Sequence, residues 1–247
     1  MMSGQVPEDF RRFRAERDAE LIEPYGWLTL SGYYWLPSEP SPLPDLPGLW
    51  WAEADQSQAH HDDQTLSAAE YARVPWVEFG DRQVELLRRG GRLAIRVRAK
   101  SSPDQTDYRG VPLFEYDEGW VVTGQFTSYD DDREVEVASI RADLRQLMHP
   151  IGEVSFTVGG QEQRLAVTKG KYGWGVEFHD PTNGEETEQW RQLHFDPPGP
   201  DGVVRLDFNR ALNMWFAFTD HATCPAPIEG NVITVPVRAG EKKFRAH

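Results

Sequence analysis

The sequence predicts a mostly β protein, built as an antiparallel barrel or sandwich with a small N-terminal β subdomain and one N-terminal amphipathic helix. Three observations predict this fold class. After residue 25 the helical periodicity of apolar residues nearly disappears. In its place, short runs of Val, Ile, Trp, Phe and Tyr alternate with Gly, Pro and Asn-Gly pairs. These runs recur at the spacing that is typical of barrels and sandwiches.

The N-terminal helix is predicted over residues 8–23, which read EDFRRFRAERDAELIE. In a helix, Phe10, Phe13, Leu21 and the stem of Arg17 share one stripe, so that face can pack on a core. Pro24 ends the pattern because proline cannot continue a helix.

Tight turns between strands are indicated by residue pairs that tolerate a positive φ. Three such pairs occur: Gly90-Gly91, Gly159-Gly160 and Asn183-Gly184. The first joins the runs 84–88 and 92–99, the second joins two runs of alternating residues, and the third lies between two aromatic-rich runs. Further strands are predicted at residues 120–129, 133–140, 203–208 and 232–238.

Irregular stretches suggest how the chain is divided. The Pro-rich residues 38–48 cannot form a central strand, because each Pro removes a hydrogen-bond donor. The stretch SSPDQTDYRGVP, residues 101–112, separates the early hairpin from the later strands. We therefore expect an N-terminal helix in residues 1–25, a small β subdomain in residues 26–100, and a larger barrel or sandwich in residues 101–247.

Composition narrows the class of partner and the compartment. The formal net charge of −14 disfavours nucleic acid and anionic membranes, which reward clustered Lys and Arg. The chain has one Cys among 247 residues, so no disulfide can form within it, and a reducing compartment fits. The first residues do not resemble a signal peptide, and no apolar run is long enough to span a membrane. We expect a soluble cytoplasmic protein with no nucleic-acid or membrane partner.

The segment from Leu206 to Gly240 concentrates polar side chains beside aromatic rings around Pro225 and Pro227. If the preceding strand continues, Asp207 and Asn209 share one face, and Arg210 follows with a guanidinium that can clamp a carboxylate. These groups can hold a small polar or anionic ligand, or they can brace the backbone of the long loop that follows. The candidate ligand-binding residues are Asp207, Asn209, Arg210, Asn213, Asn231 and Arg98.

A catalytic alternative rests on Cys224, which follows His221 by three residues. An imidazole beside a thiol can generate a nucleophilic thiolate, and Asp207 can serve as a general acid or base. These three residues are therefore candidates for a hydrolase-type enzyme. A lone Cys is also among the most frequently buried residue types and often only fills space.

A ladder of basic residues gives a third hypothesis. Arg92, Arg96, Arg98 and Lys100 alternate with Leu93, Ile95 and Val97 on one predicted strand. This ladder, residues 92–100, can dock an acidic or phosphorylated partner, in which case the protein is an interaction module. More often such a ladder forms a solvated sheet face that pairs with neighbouring Glu and Asp.

Motifs for metals and cofactors are weak or missing. His60-His61-Asp62-Asp63 points adjacent side chains to opposite sides of an extended chain, and His179, Asp180, His194 and Asp196 also suit turn formation. The sequence contains no Gly-rich phosphate loop, GxSxG, HExxH or CxxC motif. We expect neither a metal nor a cofactor, and the nine Trp residues can line either a pocket or a β core.

Several motifs together resemble the bacterial and archaeal family known as domain of unknown function 1684. They are GWLTLSGYYWL, LAIRVRAKSSPDQTDYRGVPLFEYDEGW, FHDPTNGEET, DFNRAxN, ATCPxP and RAGEKKF. Positions of the family's motifs fall on Arg98, Gly110, Asp207, Asn209, Arg210, Asn213, Cys224, Pro225 and Asn231. Members often carry a second Cys after the Asn, whereas this chain reads Asn-Met-Trp-Phe-Ala-Phe there. The resemblance implies no activity, and the departure puts any two-cysteine chemistry in doubt.

Overall fold

The computed structural model describes residues 6–100, 102–170 and 172–244, which form two compact units. The described part of unit 1 comprises residues 6–18, 109–170, 172–218 and 224–244, and that of unit 2 comprises the described residues between 19 and 108 together with 219–223. The fold is mostly β, as predicted. The domain bounds given above from the sequence stay a prediction.

The elements in chain order are α1 (Glu8–Leu21), β1 (Leu30–Trp35), β2 (Trp50–Ala52), β3 (Ala59–His61), β4 (Gln64–Leu66), β5 (Arg73–Phe79), β6 (Arg82–Arg89), β7 (Arg92–Ala99), α2 (Pro103–Thr106), β8 (Val121–Ser128), β9 (Val135–Ala138), β10 (Arg145–Met148), β11 (Pro150–Val158), β12 (Gln161–Gly170), β13 (Gly173–Phe178), β14 (Arg191–Phe195), β15 (Val203–Asp207) and β16 (Leu212–Asn213). Single turns of 3-10 helix lie at Trp27–Thr29, Glu118–Trp120, Phe208–Arg210 and Trp215–Ala217.

Helix α1 forms where the periodicity predicts it and ends at Leu21, two residues earlier than expected. Glu8 and Asp9 occupy its first turn, where carboxylates favour the positive end of the helix dipole. The buried stripe consists of Phe10, Arg14, Arg17 and Leu21. Arg14 was not expected to be buried, and its burial has a specific cause: its Nη1 donates to Glu241 at 2.7 Å.

Unit 2 contains an antiparallel sheet of order β1-β7-β6-β5 and a small sheet of order β2-β3-β4. The predicted Gly90-Gly91 hairpin joins β6 to β7, and both glycines have a positive φ. Alternation on β7 places Leu93, Ile95 and Val97 in a core that also includes Trp50. The opposite face of β7 carries Arg92, Ala94, Arg96 and Arg98.

Unit 1 is dominated by a seven-stranded antiparallel sheet of order β15-β8-β11-β12-β13-β14-β16. Gly159-Gly160 forms the predicted turn between β11 and β12. The sheet curls into a half-barrel, so that β14 and β15 approach each other although they are not hydrogen-bonded neighbours. Its concave face buries a core centred on Phe156, Phe178 and Phe208.

Strand predictions at 120–129, 133–140 and 203–208 correspond to β8, β9 and β15. The predicted strand at 232–238 was wrong, because only an isolated bridge from Val232 to His179 occurs there. Pro236 cannot donate to a ladder. The backbone is held by side chains instead: Arg191 Nη2 donates to the Val237 carbonyl at 2.8 Å, and the Val237 N–H donates to Asp180 at 3.0 Å.

The strand alternation of side chains ends earlier than expected in the DFNR segment, which is Asp207–Arg210. Residues Phe208–Arg210 form a turn of 3-10 helix rather than a continued strand. Asp207 caps this turn, and its carboxylate accepts a hydrogen bond from the Asn209 N–H. The prediction that Asp207 and Asn209 share a strand face was therefore wrong.

Neither helix in the described part of the chain has the length and apolar character that a membrane span requires.

Candidate functional site

A pocket of about 430 Å³ lies in unit 1 where β14 and β15 approach each other beneath α1. We call it the β14–β15 pocket. Its ionisable groups come from three elements and their flanking turns. They are Asp9, His194, Asp196, Arg205, Asp207 and Arg210. Apolar walls are supplied by Phe13, Phe195, Pro197, Val203, Val204 and Leu212, and Tyr172 completes the lining.

Asp207 is the most heavily bonded acid of the pocket and is buried. Its Oδ1 accepts from the backbone N–H of Asn209 at 3.2 Å and from Asn209 Nδ2 at 3.0 Å. Its Oδ2 accepts from Arg210 Nε at 3.1 Å and, less closely, from Arg205 Nη1 at 3.4 Å. With four donors, this carboxylate is fixed in place and in its charged form is well compensated.

Arg210 joins α1 to the DFNR segment and lines the pocket. Its Nη2 donates to Asp9, and its guanidinium lies over the Phe13 ring, 5.1 Å from the centroid. Its side chain remains 26 % exposed. The third nitrogen, Nη1, forms no hydrogen bond to any residue described here. Arg210 is thus held rigidly by two acids while keeping donors available to a bound molecule.

The pKa of Tyr116 is affected by the charge of Asp207. Its pKa is raised to about 12, first by burial, then by the hydrogen bond to Glu118 and by the negative charge of Asp207. The phenol therefore stays protonated at neutral pH and donates to Glu118 at 2.7 Å. Its ring packs against Phe10 of α1.

Three other candidate residues are engaged with backbone. Asn209 accepts from the Asp117 N–H and donates to the Asp117 carbonyl, both at 3.0 Å. Asn213 donates to the Lys242 carbonyl at 2.8 Å. Asn231 accepts from the Ala166 N–H at 2.7 Å and donates to the carbonyls of Ala166 and Glu177. These bonds are what the bracing alternative predicts, and a ligand role for these amides stays a prediction.

Arg98 belongs to unit 2 and so lies outside the β14–β15 pocket. Its Nε donates to Glu85 at 3.2 Å and its Nη1 to the Gly26 carbonyl at 2.6 Å. Burial lowers the pKa of Arg98, an effect that the charge of Glu85 opposes. Arg96 and Arg98 are both buried, so the expectation of a solvated sheet face was wrong for these two residues.

Cys224 belongs to unit 1 and His221 to unit 2. Cys224 is buried, and its carbonyl accepts from the Ile140 N–H and from Ser139 Oγ. His221 is part of the 219–223 segment of unit 2, where its N–H donates to Thr219 Oγ1 at 3.2 Å. A nucleophilic role for Cys224 with His221, or an acid–base role for Asp207, stays a prediction.

The histidines considered as metal ligands contact aromatic rings or a backbone carbonyl. His60 stacks on Trp51, and His61 stacks on Trp50 with ring centroids 3.7 Å apart. His179 Nδ1 lies 3.1 Å from the Gln189 carbonyl. Within the described ranges, no three His, Cys, Asp or Glu side chains converge to hold a metal ion. His194 and Asp196 both line the β14–β15 pocket.

Glu177 on β13 gives the first testable prediction. Its Oε2 is buried and lacks a hydrogen-bond partner among the described residues, and burial raises its pKa above the usual 4.5. The folded protein therefore holds this proton more tightly than the unfolded chain, so the free energy of unfolding falls as pH rises above about 4.5 toward the folded pKa. We expect Glu177→Gln to be more stable than the wild type at about pH 8, with the difference vanishing at acidic pH.

Urea denaturation across this pH range measures the effect. The control is Glu162→Gln, because Glu162 is an exposed acid of the same unit. A wild-type protein that keeps a constant stability difference from Glu177→Gln over the whole pH range would contradict the assignment.

Comparison with known proteins gives a family but no activity. The family described as protein of unknown function (DUF1684) matches residues 106–242. A solution NMR structure of an uncharacterised protein of Haloarcula marismortui is 25 % identical, with a TM-score of 0.49, and the match covers 59 % of this chain and 83 % of that one. No protein with a curated description matches. Since the matched residues make up more than half of the chain, the chain belongs to the DUF1684 family of proteins of unknown function.

Proposed function

We propose that this protein binds a small polar ligand bearing an acidic group in the β14–β15 pocket, with Arg210 contacting that group. The observation that supports this proposal is how the Arg210 guanidinium is hydrogen-bonded. Its guanidinium is fixed by Asp207 and Asp9, yet Nη1 is uncommitted among the described residues. A pre-positioned guanidinium can form charge-assisted hydrogen bonds at little entropic cost.

The size and lining of the pocket support a small ligand. A volume of about 430 Å³ falls within the range of small-molecule sites. Phe13, Val203 and Leu212 provide apolar wall, while ionisable groups of both signs face the same space. Such a mixed lining suits a molecule that carries an acidic group beside hydroxyl or amino groups, rather than a purely apolar one.

The charge balance limits how acidic the ligand is. Two arginines, Arg205 and Arg210, share the pocket with three carboxylates and one imidazole. A highly charged polyanion would meet repulsion from Asp9, Asp196 and the well-bonded Asp207. A single carboxylate or phosphate that reaches Arg210, with the rest of the molecule donating to the carboxylates, fits this balance.

Arg210→Ala tests the proposal. We expect the substitution to weaken binding about tenfold or more, because a hydrogen bond to a charged group is lost. The free energy of unfolding should change by only about 1 kcal/mol or less, since Asp207 keeps three other donors and the Arg210–Asp9 contact is exposed. Calorimetric titration with lactate and with glycerate as probes, each with one carboxylate beside hydroxyl groups, measures the affinity, and urea denaturation measures the stability.

Arg238→Ala is the matched control for Arg210→Ala. Arg238 pairs with Glu186 in the same unit, and its side chain is 59 % exposed outside the pocket. We expect this variant to bind both probes like the wild type. A large loss of stability in Arg210→Ala without a separate loss of affinity would instead identify Arg210 as a brace between α1 and the DFNR segment.

From the composition we also propose a cytoplasmic location and no nucleic-acid partner. The single Cys fits a reducing compartment, and the net charge of −14 would repel a phosphate backbone. Fractionation of cells followed by immunodetection tests the location.

A further inference from the structure

Unit 2 buries arginines on the face of β7 that does not contact its apolar core. Arg96 is 1 % exposed and Arg98 is 2 % exposed. Arg89, on the neighbouring strand β6, is also buried. The three guanidiniums form a cluster that we call the arginine cluster. It belongs to unit 2, whereas the β14–β15 pocket belongs to unit 1, so a role for the cluster does not depend on the proposed function.

The arginine cluster has too few acids among its described neighbours. Glu85 lies directly opposite Arg96 in the β6–β7 register, but its carboxylate is bonded to Arg98 at 3.2 Å. Arg89 donates only to the carbonyls of Ala72 and Arg88. Two carboxylates therefore act on three guanidiniums, that of Glu85 on Arg98 and that of Glu70 on Arg89, which leaves the cluster with an excess of positive charge.

Arg96 is the least compensated member. Its Nη2 lies 3.4 Å from Thr223 Oγ1, a long hydrogen bond to a neutral group, and its guanidinium lies 5.1 Å from the Trp27 ring centroid. Its Nε is buried with no hydrogen-bond partner in the described part of the chain. No carboxylate of a described residue lies within ion-pair distance of it. Burial, together with the charges of Arg98 and Arg89, lowers the pKa of Arg96 to about 9.

A buried charge without a counter-charge is costly, and proteins ordinarily pair it. At neutral pH a group with a pKa near 9 stays charged, so the cost is not removed by loss of a proton. The cost is removed if an anion accepts from the guanidinium in place of the Thr223 hydroxyl, which lies 3.4 Å from Nη2. A guanidinium backed by an indole ring is well suited to this role, because it offers a planar fork of donors.

We propose that Arg96 anchors a binding site for a small oxyanion in unit 2, with Trp27 behind the guanidinium and Thr223 beside it. The site takes a phosphate or a carboxylate group, since both match the guanidinium fork. Thr223 belongs to the ATCPxP segment, so this site would give that segment a role in ligand binding that does not depend on the thiol of Cys224.

The test compares the wild type with Arg96→Met, which keeps an unbranched apolar stem and removes the guanidinium and its charge. Equilibrium dialysis with radiolabelled inorganic phosphate and, separately, with radiolabelled acetate measures binding and distinguishes the two anion classes. We expect the wild type to bind an anion at a site whose affinity is about tenfold or more weaker in Arg96→Met. In buffer free of both anions, Arg96→Met should melt at or above the wild-type temperature, whereas saturating anion should raise the melting temperature of the wild type alone.

Two controls locate the site. Arg92→Met removes an exposed arginine from the same face of β7, where it lies over Trp35, and should bind like the wild type. Arg210→Ala should also retain anion binding in unit 2. Loss of binding in Arg210→Ala with retention in Arg96→Met would place the anion in the β14–β15 pocket and overturn the proposal while leaving the proposed function intact.

Other outcomes also decide the matter. Wild-type protein that binds neither phosphate nor acetate, or Arg96→Met that binds as tightly as the wild type, overturns the proposal. If Arg96→Met fails to fold, crystals of the wild type soaked in phosphate and in acetate replace it. Anion density within hydrogen-bond distance of Arg96 supports the site, and density found only elsewhere, or nowhere, overturns it.

Discussion

Asp180→Ala is expected to lower the free energy of unfolding by about 3–5 kcal/mol, because it strands a buried arginine. Asp180 and Arg191 form an ion pair at 3.1 Å in which both side chains are 0 % exposed. Asp180 also accepts from the Val237 N–H and from Thr182. Its removal therefore leaves a charge and backbone donors uncompensated in the interior.

The same arginine explains why this loss is large. Arg191 donates to the carbonyls of Ala239, Val237 and Glu241, so it fastens the C-terminal segment to β14. That segment has no strand ladder of its own at residues 232–238. Losing the orientation of Arg191 would release several backbone carbonyls at once, and hydrogen exchange of residues 236–241 should quicken.

Urea denaturation of Asp180→Ala and of Glu186→Ala compares the stability lost when a buried ion pair and an exposed ion pair are broken. Glu186 pairs with Arg238 in the same loop region, but that pair is exposed, and its loss should cost about 1 kcal/mol or less. Equal losses in the two variants would show that burial does not set the strength of these pairs. A double variant, Asp180→Leu with Arg191→Met, should recover part of the stability, because replacing both charges removes the uncompensated one.

How far the sequence predicts the fold depends on whether the signal is local. The Gly90-Gly91 and Gly159-Gly160 turns were predicted correctly because the glycines that allow a positive φ are adjacent in the sequence. The segment 232–238 failed because its β-branched residues resemble a strand, while its backbone partners come from Arg191 and Asp180, more than 40 positions away. Strand propensity cannot reveal such side-chain partners.

The candidate site was predictable to a similar degree. Asp207 and Arg210 were named from a polar cluster in the sequence, and both line the β14–β15 pocket. Asp9 and Phe13 were missed as pocket residues, because nothing local connects α1 with a segment some 200 residues later. For the arginine ladder, alternation gave the two faces of β7 correctly, but it carried no information on which face solvent reaches.

The last prediction concerns Phe208, which lies in the same DFNR segment as the proposed ligand contact. Phe208 is 0 % exposed and contacts the rings of Trp120, Phe156 and Phe178 at the centre of the unit 1 core. We expect Phe208→Ala to cost about 3–5 kcal/mol, since truncation removes buried apolar surface and leaves a cavity. Thermal and urea denaturation measure this loss.

Val203→Ala is the matched control, because Val203 is an apolar residue of β15 that is 40 % exposed, and we expect its substitution to change stability by about 0.5 kcal/mol or less. The contrast with Arg210 is the more informative one. If Phe208→Ala lowers stability with little change in the lactate or glycerate affinity of the folded fraction, and Arg210→Ala does the reverse, then Phe208 serves core packing and Arg210, two positions later, serves ligand contact. If both variants lose stability alike, the DFNR segment acts as one structural unit and the proposed ligand contact at Arg210 is wrong.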